Sequence, residues 1–260
     1  ITQPSAINGS FSVSQNVSCN SGNNGSSSLT ISGGVAPYNV NWTNGITTGN
    51  LASAGNGPHS LTGLTSGNYS VTISDANLCS GVFTFTITQP VALTSTLNLI
   101  QQPSCNGNSD AEIQVSFNGG TPPFSFSWTN GAFSGSQAGV NEGPHTITGL
   151  TAGVFNITVT DSQACTYSAM ATISQPNALT LTAVPLSNAL CNGSSDGSAI
   201  ITISGGTPTY NLTYSNGTTN GSILNSPNVS HTLSNLTAGN YQVTVTDVNN
   251  CQSTGVFTIG

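Results

Sequence analysis

The fold is decided by a stretch that begins Cys105-Asn106-Gly107-Asn108-Ser109-Asp110 and ends Thr158-Val159-Thr160-Asp161-Ser162-Gln163-Ala164-Cys165. The interval between its two cysteines occurs twice more in the chain, once before this stretch and once after it. The pairs that keep it are Cys19 with Cys79 and Cys191 with Cys251. Self-similarity at a fixed period, here about 86 residues, indicates a repeat architecture, so the chain is three copies of one unit.

The period also suggests what kind of unit is repeated. A solenoid turn usually takes ~20–50 residues, whereas a small domain needs at least about 50. We therefore predict three tandem domains, at residues 1–90, 91–176 and 177–260. Other landmarks keep the same step: Gly33-Gly34, Gly119-Gly120 and Gly205-Gly206; Asn44-Gly45, Asn130-Gly131 and Asn216-Gly217.

The composition excludes several classes of partner. The chain has no Lys or Arg, seven acidic residues and a formal net charge of −7. Such a chain has nothing to neutralise phosphates, which excludes nucleic-acid binding and disfavours anionic membrane surfaces. No apolar run approaches the ~18 residues of a membrane span.

Alternating apolar and polar residues predict strands throughout each unit. Within the first unit we expect strands at 26–32, 37–43, 58–63 and 68–75, with residues 46–57 mostly loop. Further strands are expected before Cys19 and after Cys79, and no segment has helical periodicity. Short strands separated by turn signals predict an all-β fold of three immunoglobulin-like antiparallel β-sandwiches. The tripeptide Gly67-Asn68-Tyr69 resembles a tyrosine corner.

Six cysteines can pair in 15 ways, and the periodicity favours two schemes. One pairs cysteines within each repeat; the other pairs Cys79 with Cys105 and Cys165 with Cys191. We expect the first, one disulfide per repeat, and hence an oxidising compartment. It requires an even number of strands between Cys19 and Cys79, so four strands fit, as do two short extra ones, but a single extra strand does not. The expected structural disulfides are Cys19–Cys79, Cys105–Cys165 and Cys191–Cys251.

Three runs of the third unit resemble a known family. They are Cys191 to Asp196, Gly205 to Tyr210 and Leu236 to Asp247, and together with Cys251 they resemble the SprB repeat of very large surface adhesins of gliding Bacteroidota. The first unit departs from the pattern at Asn24 and at 35–37. The resemblance implies type IX secretion, an extracellular cell-surface location and a role in adhesion or gliding motility. It implies no catalytic residues.

Side chains that could carry chemistry are sparse. One histidine occurs per unit (His59, His145, His231) without a nearby metal-ligand set or nucleophile motif, so we expect structural histidines and no enzyme. We expect no cofactor, although oxygen-rich turns can hold calcium. The weak candidates for calcium are Asp110, Asp161, Asp196 and Asp247, where a disulfide between Cys105 and Cys165 would bring Asp110 towards Asp161. The alternative is that these acids form turn and strand caps.

Two functions fit this sequence. The first is a structural and adhesive fibre whose partners are neighbouring repeats or other copies of the chain. The second is a module that binds surface polysaccharide through the variable loops 46–57, 132–143 and 218–229. Trp42 and Trp128 could stack on sugars, but their alternation with Val40 and Phe126 predicts core positions. The start Ile1-Thr2-Gln3-Pro4 repeats the text that ends the first unit, so we expect a longer array.

Overall fold

The computed structural model describes residues 3–260, so Ile1 and Thr2 lie outside the described part of the first predicted domain. This part of the chain contains 21 β-strands and turns, and no helix. Accordingly, no helix suited to crossing a membrane is found in it. The all-β prediction is confirmed.

Seven strands of the first repeat form two antiparallel sheets, ordered β1-β2-β5 and β4-β3-β6-β7. This is the two-sheet arrangement of an immunoglobulin-like sandwich. The strands are β1 (Asn8–Gln15), β2 (Gly25–Ser32), β3 (Tyr38–Thr43), β4 (Thr48–Ala54), β5 (Gly57–Leu64), β6 (Gly67–Ser74) and β7 (Ser80–Ile87).

The second and third repeats have the same strand orders, β12-β9-β8 with β11-β10-β13-β14, and β15-β16-β19 with β18-β17-β20-β21. The strands of the second are β8 (Thr94–Gln101), β9 (Ala111–Asn118), β10 (Phe124–Thr129), β11 (Ser134–Val140), β12 (Pro144–Leu150), β13 (Gly153–Thr160) and β14 (Thr166–Ile173). Those of the third are β15 (Thr180–Ser187), β16 (Gly197–Ser204), β17 (Tyr210–Ser215), β18 (Asn220–Ser226), β19 (Ser230–Leu236), β20 (Gly239–Asp247) and β21 (Gln252–Ile259).

The chain divides into two compact units, and the division runs through the second repeat. The first unit holds the first repeat with residues 116–144 and 157–169. The second unit holds residues 97–115 and 145–156 with the third repeat. The domain boundaries at 90/91 and 176/177 stay predictions.

The alternation of apolar and polar residues in the sequence matches the alternation of buried and exposed side chains along the strands. In β6 the inward side chains of Tyr69, Val71 and Ile73 are fully buried, whereas their neighbours face outward. Successive side chains of a strand point to opposite faces, so each sheet contributes one apolar face to the core. Burying a large apolar side chain stabilises the fold by roughly 1.5–3 kcal/mol, so each of these inward positions contributes to the stability of the fold.

The tyrosine corner is confirmed. The Tyr69 hydroxyl accepts a hydrogen bond from the Thr65 N–H at 3.1 Å and donates to the Thr65 carbonyl at 3.2 Å. Tyr241 makes the same pair of bonds with Thr237. Phe155 occupies the equivalent position in the second repeat, so this corner lacks the hydroxyl.

The segment 46–57, predicted as mostly loop, contains strand β4. An Asn44-Gly45 hairpin brings β4 back along β3, and the Asn44 Oδ1 accepts the Thr47 N–H at 2.7 Å. Gly49 makes the pairing fit, because a Cβ there would lie 2.3 Å from the Trp42 ring. The sequence did not indicate this strand, because it lacks a clear alternation of apolar and polar residues and only Ala54 in it is buried.

The extra strand changes which ends of the sandwich the cysteines occupy. Five strands, β2 to β6, separate Cys19 from Cys79, and each reverses the chain direction. An odd number of reversals places the two cysteine turns at opposite ends of the repeat. The predicted disulfide within a repeat therefore cannot form, because its two cysteines lie too far apart.

Candidate functional site: the cysteine turns at the repeat junctions

The disulfides join neighbouring repeats. Cys19 is bonded to Cys165 and Cys105 to Cys251, with Cα–Cα distances of 5.6 and 5.7 Å. Both distances lie within the usual range of a disulfide. Each bridge links the first cysteine of one repeat to the second cysteine of the next. Both predicted pairing schemes are therefore wrong, and Cys79 and Cys191 are free and exposed.

The first cysteine of each repeat lies in a turn at the end where the chain leaves that repeat. In the first repeat the Val17 N–H donates to the Thr88 carbonyl at 3.0 Å, and the Thr88 N–H donates to the Asn16 Oδ1 at 2.9 Å. These bonds hold the Cys19 turn against the last residues of the repeat. The third repeat has the same arrangement, with Ala189 and Asn188 bonded to Gly260.

At each junction a Gln-Pro pair accepts hydrogen bonds from the turn that carries the first cysteine. The Ser21 N–H donates to the Gln89 Oε1 at 2.7 Å, and the Asn20 side-chain amide donates to the Pro90 carbonyl at 3.0 Å. At the second junction the donors are the Gly107 N–H and the Asn106 amide, and the acceptors are Gln175 and Pro176. From the sequence alone, the Gln-Pro pair indicated only text that recurs at the boundaries of the units. Its fixed spacing from the Cys-Asn turn was the available signal.

An Asn or Asp inside the turn supports the first cysteine. In the first repeat the Asn24 Oδ1 accepts the Ser18 N–H at 2.9 Å. Asp110 does the same for Ser104, and the Ser104 hydroxyl donates to its other oxygen. These hydrogen bonds, the hydroxyl first, lower the pKa of Asp110. The pKa of Asp196 is lowered by the Ser194 hydroxyl and the Leu190 N–H.

The second cysteine lies in a turn organised by a buried aspartate. The Asp75 Oδ1 accepts the N–H groups of Asn77 and Cys79, both at 2.9 Å, and its Oδ2 accepts the Val35 N–H at 3.0 Å. Three backbone N–H groups therefore donate to the carboxylate of Asp75, a residue that is 3 % exposed. Asp161 and Asp247 make the same three bonds.

These bonds account for the aspartates that were considered for calcium. Asp161 and Asp247 direct both oxygens at backbone N–H groups, and Asp110 and Asp196 bond to their own turns. The expected bridge between the Asp110 and Asp161 turns is wrong, because Cys105 pairs with Cys251. Within residues 3–260 no cluster of three His, Cys, Asp or Glu side chains is arranged to hold a metal ion.

The histidines lie in strands, and His59 and His231 bond to backbone carbonyls. The His59 Nε2 is 2.8 Å from the Gly55 carbonyl, and the His231 Nε2 is 3.0 Å from the Asn228 carbonyl. Each histidine lies near the start of the strand that follows a variable segment. His59 in particular lies in β5, within the strand that was expected at 58–63.

The tryptophans are half-buried. Trp42 packs against the core of the first repeat, as the alternation predicted, and the Trp128 ring lies 5.6 Å from Phe126. An open groove of about 470 Å³ runs over β3, β4 and β6, and Trp42 and Asn50 are among its lining residues. A similar groove of about 410 Å³ lies over β17, β18 and β20, beside Tyr214.

Comparisons with solved structures give immunoglobulin-domain and macroglobulin neighbours. A chain from the complex of Dpr2 Ig1-Ig2 with DIP-Theta Ig1-Ig3 is 10% identical, with 96% of this chain and 98% of that chain covered and a TM-score of 0.30. The first eight Ig domains of Down Syndrome Cell Adhesion Molecule are 13% identical (94% and 35% covered, TM-score 0.36). A Salmonella alpha-2-macroglobulin mutant is 10% identical (97% and 23% covered, TM-score 0.26).

The comparison with curated proteins gave no match. A family model described as the SprB repeat matches residues 12–47, 98–133 and 183–219. Each match includes the first cysteine turn and ends just beyond the strand that carries Trp42, Trp128 or Tyr214. The SprB repeat model therefore matches the chain at three places, one in each of the predicted domains.

Proposed function

We propose that this chain is a non-enzymatic, extracellular repeat protein that forms part of a bacterial cell-surface filament or stalk, with a role in adhesion and gliding. The observation that carries the proposal is the disulfide at each junction between SprB repeats. Stable disulfides form in oxidising compartments, which supports a location outside the cytoplasm. The SprB match is what favours type IX secretion and gliding.

The junction provides the mechanism. The Gln-Pro connection would by itself leave a short hinge between repeats. Cys19–Cys165 adds a second covalent connection at the same place, and the bonds from Asn20 and Ser21 fix the connecting peptide. A hinge that is crossed by two covalent paths cannot rotate freely. The repeats therefore transmit force along the chain instead of folding back on one another.

The surface chemistry fits the same role. Without Lys or Arg, contacts between chains depend on hydrogen bonds and apolar side chains. Such contacts are weakly screened by salt, unlike those between exposed charges. Material assembled from this chain should therefore keep its form in moderate salt.

The proposal is tested by measuring where the protein is located and whether its loss reduces adhesion. Antibodies raised against the chain should label intact cells of the producing bacterium, and external protease should remove the label. Deleting the gene should reduce attachment to surfaces and gliding. Labelling that requires permeabilised cells would contradict the proposal. A second deletion in an unrelated surface protein serves as the control for general loss of fitness.

The outer sheet grooves favour a second candidate function, the binding of surface polysaccharide. The groove over β3, β4 and β6 is open and lined by amide and hydroxyl side chains beside Trp42, and β4 belongs to the variable segment 46–57. Polar groups beside an aromatic ring are the usual elements of a small-molecule site. An array of surface glycans probed with the whole chain tests it, with Asn50→Ala as the variant that should lose binding.

A further inference from the structure

The two junctions differ at one position in the turn that carries the first cysteine. The first junction has Asn20-Ser21 there, whereas the second has Asn106-Gly107. An asparagine that is followed by glycine deamidates more readily than other asparagines, because glycine has no Cβ to hinder the attack of its backbone nitrogen on the asparagine side chain. The second junction therefore contains a reactive pair that the first junction lacks.

The hydrogen bonds of the second junction hold both groups that would react. The Asn106 Nδ2, which leaves as ammonia in a deamidation, donates to the Pro176 carbonyl at 3.0 Å. The Gly107 N–H, which must lose its proton before the nitrogen attacks, donates to the Gln175 Oε1 at 2.8 Å. Both hydrogen bonds must break before the reaction can begin. The closed junction therefore protects the pair.

Solvent reaches this pair without unfolding of the repeat. Asn106 and Gly107 are both exposed, and an open cavity of about 400 Å³ is lined by Asn106 together with Cys105 and Cys251. Water and hydroxide have access to the asparagine side chain from this cavity. Opening of the two junction hydrogen bonds is therefore sufficient for the reaction, and the sandwich can stay folded.

An Asn-Gly pair away from the junctions is held in a different way. The Asn44 Oδ1 accepts the N–H groups of Ile46 and Thr47 in its own hairpin, and the Asn44 amide donates to the Thr65 Oγ1 at 3.0 Å. All of these bonds lie within the first repeat. Asn44 is therefore a reference site in the same chain, whose rate of deamidation should not respond to a change at either junction.

We propose that Asn106 is a modification site that the second junction controls. Asn106 stays unmodified while the junction is closed, and it deamidates when the bonds to Gln175 and Pro176 open. Neither product restores the original contacts. An aspartate at this position has no N–H to donate to Pro176, and an isoaspartate lengthens the backbone before Gly107 and displaces its N–H from Gln175. Each opening that leads to reaction therefore weakens the junction permanently.

The reaction needs only water and base. Hydroxide removes the Gly107 N–H proton, and the nitrogen attacks the Asn106 Cγ. The new C–N bond closes a succinimide as the Cγ–Nδ2 bond breaks, and the side-chain nitrogen takes up a proton from water and leaves as ammonia. Water then adds to either succinimide carbonyl and opens the ring to aspartate or isoaspartate. One water is consumed and one ammonia is released, with no oxidant or reductant.

The test compares the whole oxidised chain with its Gln175→Ala and Gln89→Ala variants during incubation at mildly alkaline pH. Mass spectrometry of chymotryptic peptides measures deamidation at each asparagine, since the chain has no Lys or Arg for trypsin. Gln175→Ala should raise the rate at Asn106 about fivefold, the factor that corresponds to one hydrogen bond of about 1 kcal/mol. Gln89→Ala, at the first junction, should leave that rate unchanged, and Asn44 should react equally in all three chains.

A second measurement follows the effect of the product on the junction. Asn106→Asp introduces the product from the start, and hydrogen–deuterium exchange of the peptide that contains Gly107 should become about fivefold faster at that N–H, because the bond to Pro176 is lost. The peptide that contains Ser21, at the first junction, should exchange as in the parent chain. Asn20→Asp is the matched variant and should affect the Ser21 peptide instead.

Three results would overturn the proposal. They are an unchanged rate at Asn106 in Gln175→Ala, an equal rise at Asn106 in Gln89→Ala, and unchanged exchange at Gly107 in Asn106→Asp. Peptide mapping must show both disulfides intact in every variant, so that a change in rate belongs to the hydrogen bonds. The test uses purified protein, and its outcome is therefore separate from whether the chain is found on the cell surface.

Discussion

The two ends of each repeat support their cysteine turns in different ways. At the end with the second cysteine, a buried aspartate receives three backbone N–H groups, and Asp75, Asp161 and Asp247 do so identically. At the end with the first cysteine, the supporting residue lies near the surface and varies, as Asn24, Asp110 and Asp196 show. The buried position is therefore aspartate in all three repeats, whereas at the position near the surface asparagine replaces aspartate in the first repeat.

This difference matters because every bridge joins one end of each kind. Cys165 comes from a turn that the buried carboxylate of Asp161 holds, and Cys19 comes from a turn that the exposed side chain of Asn24 holds. We expect the turn with the buried aspartate to hold its cysteine in place with or without the bridge. The turn with the exposed asparagine should depend more on the bridge and on Gln89. The following changes separate these contributions.

The largest effect should come from opening a junction bridge. Cys19 and Cys165 have a sequence separation of 146, and in the chain-entropy model a bridge across so long a loop contributes about 5 kcal/mol. Cys19→Ser and Cys165→Ser open the same bond, so their common loss is the bridge, and any difference belongs to the turns. Urea denaturation of the oxidised chain measures both. Cys79→Ser is the matched control and should change the free energy of unfolding little, and an equal loss there would contradict the assignment of Cys79 as free.

The next largest effect should come from the buried carboxylate. Asp247→Ala leaves one buried and two part-buried N–H groups without an acceptor, and a buried donor without a partner costs about 1–3 kcal/mol. We therefore expect a loss of about 3 kcal/mol or more by urea denaturation. Asp196→Ala, at the exposed turn of the same repeat, should cost far less. Similar losses from both substitutions would remove the distinction between the two ends.

The tyrosine corner gives a smaller effect. Tyr69→Phe and Tyr241→Phe each remove hydrogen bonds to a threonine backbone, and we expect a loss of about 1 kcal/mol for each. The second repeat has Phe155 at this position, so Phe155→Tyr should gain a similar amount. Thermal denaturation of the three variants against the parent chain measures this. No loss in the first two would show that the corner is held by packing alone.

The smallest effect should appear on acidification. Hydrogen bonds lower the pKa of Asp110 and Asp196 from 3.8 in the folded chain. Their contribution is therefore complete above that value and is lost as the pH falls through the folded pKa. Asp110→Asn with Asp196→Asn should reduce the pH dependence of stability between about pH 5 and pH 2. Acid titration followed by circular dichroism tests this, with unchanged slopes as the contrary result.

Much of the fold could be predicted because its signals are periodic. The constant step between cysteine pairs indicated three repeats, and the alternation of Tyr69, Val71 and Ile73 indicated strands whose inner faces are buried. The tyrosine corner was recognisable because one residue type at one spacing makes it. These features depend on a repeat's own sequence.

The junctions could not be predicted in the same way. Whether Cys19 can pair with Cys79 depends on whether an odd or an even number of strands lies between them. That number depends on β4, which the sequence does not indicate because most of its residues are exposed or half-buried. Cys79 and Cys165 each follow an aspartate by four residues, and this shared signal does not distinguish a partner in the same repeat from one in the next. The role of Gln89 required the position of Ser21, which only the folded junction provides.

The two bridges overlap along the sequence, and this limits how far the chain can be stretched. If the backbone alone connected Cys19 to Cys251, it would span roughly 800 Å when fully extended. The shortest covalent path instead crosses to Cys165, runs back along the backbone to Cys105 and crosses to Cys251. That path is only about 200 Å long when extended. Even with every strand unfolded, the oxidised chain between these cysteines behaves as a short tether, and its rupture under load requires a covalent bond to break.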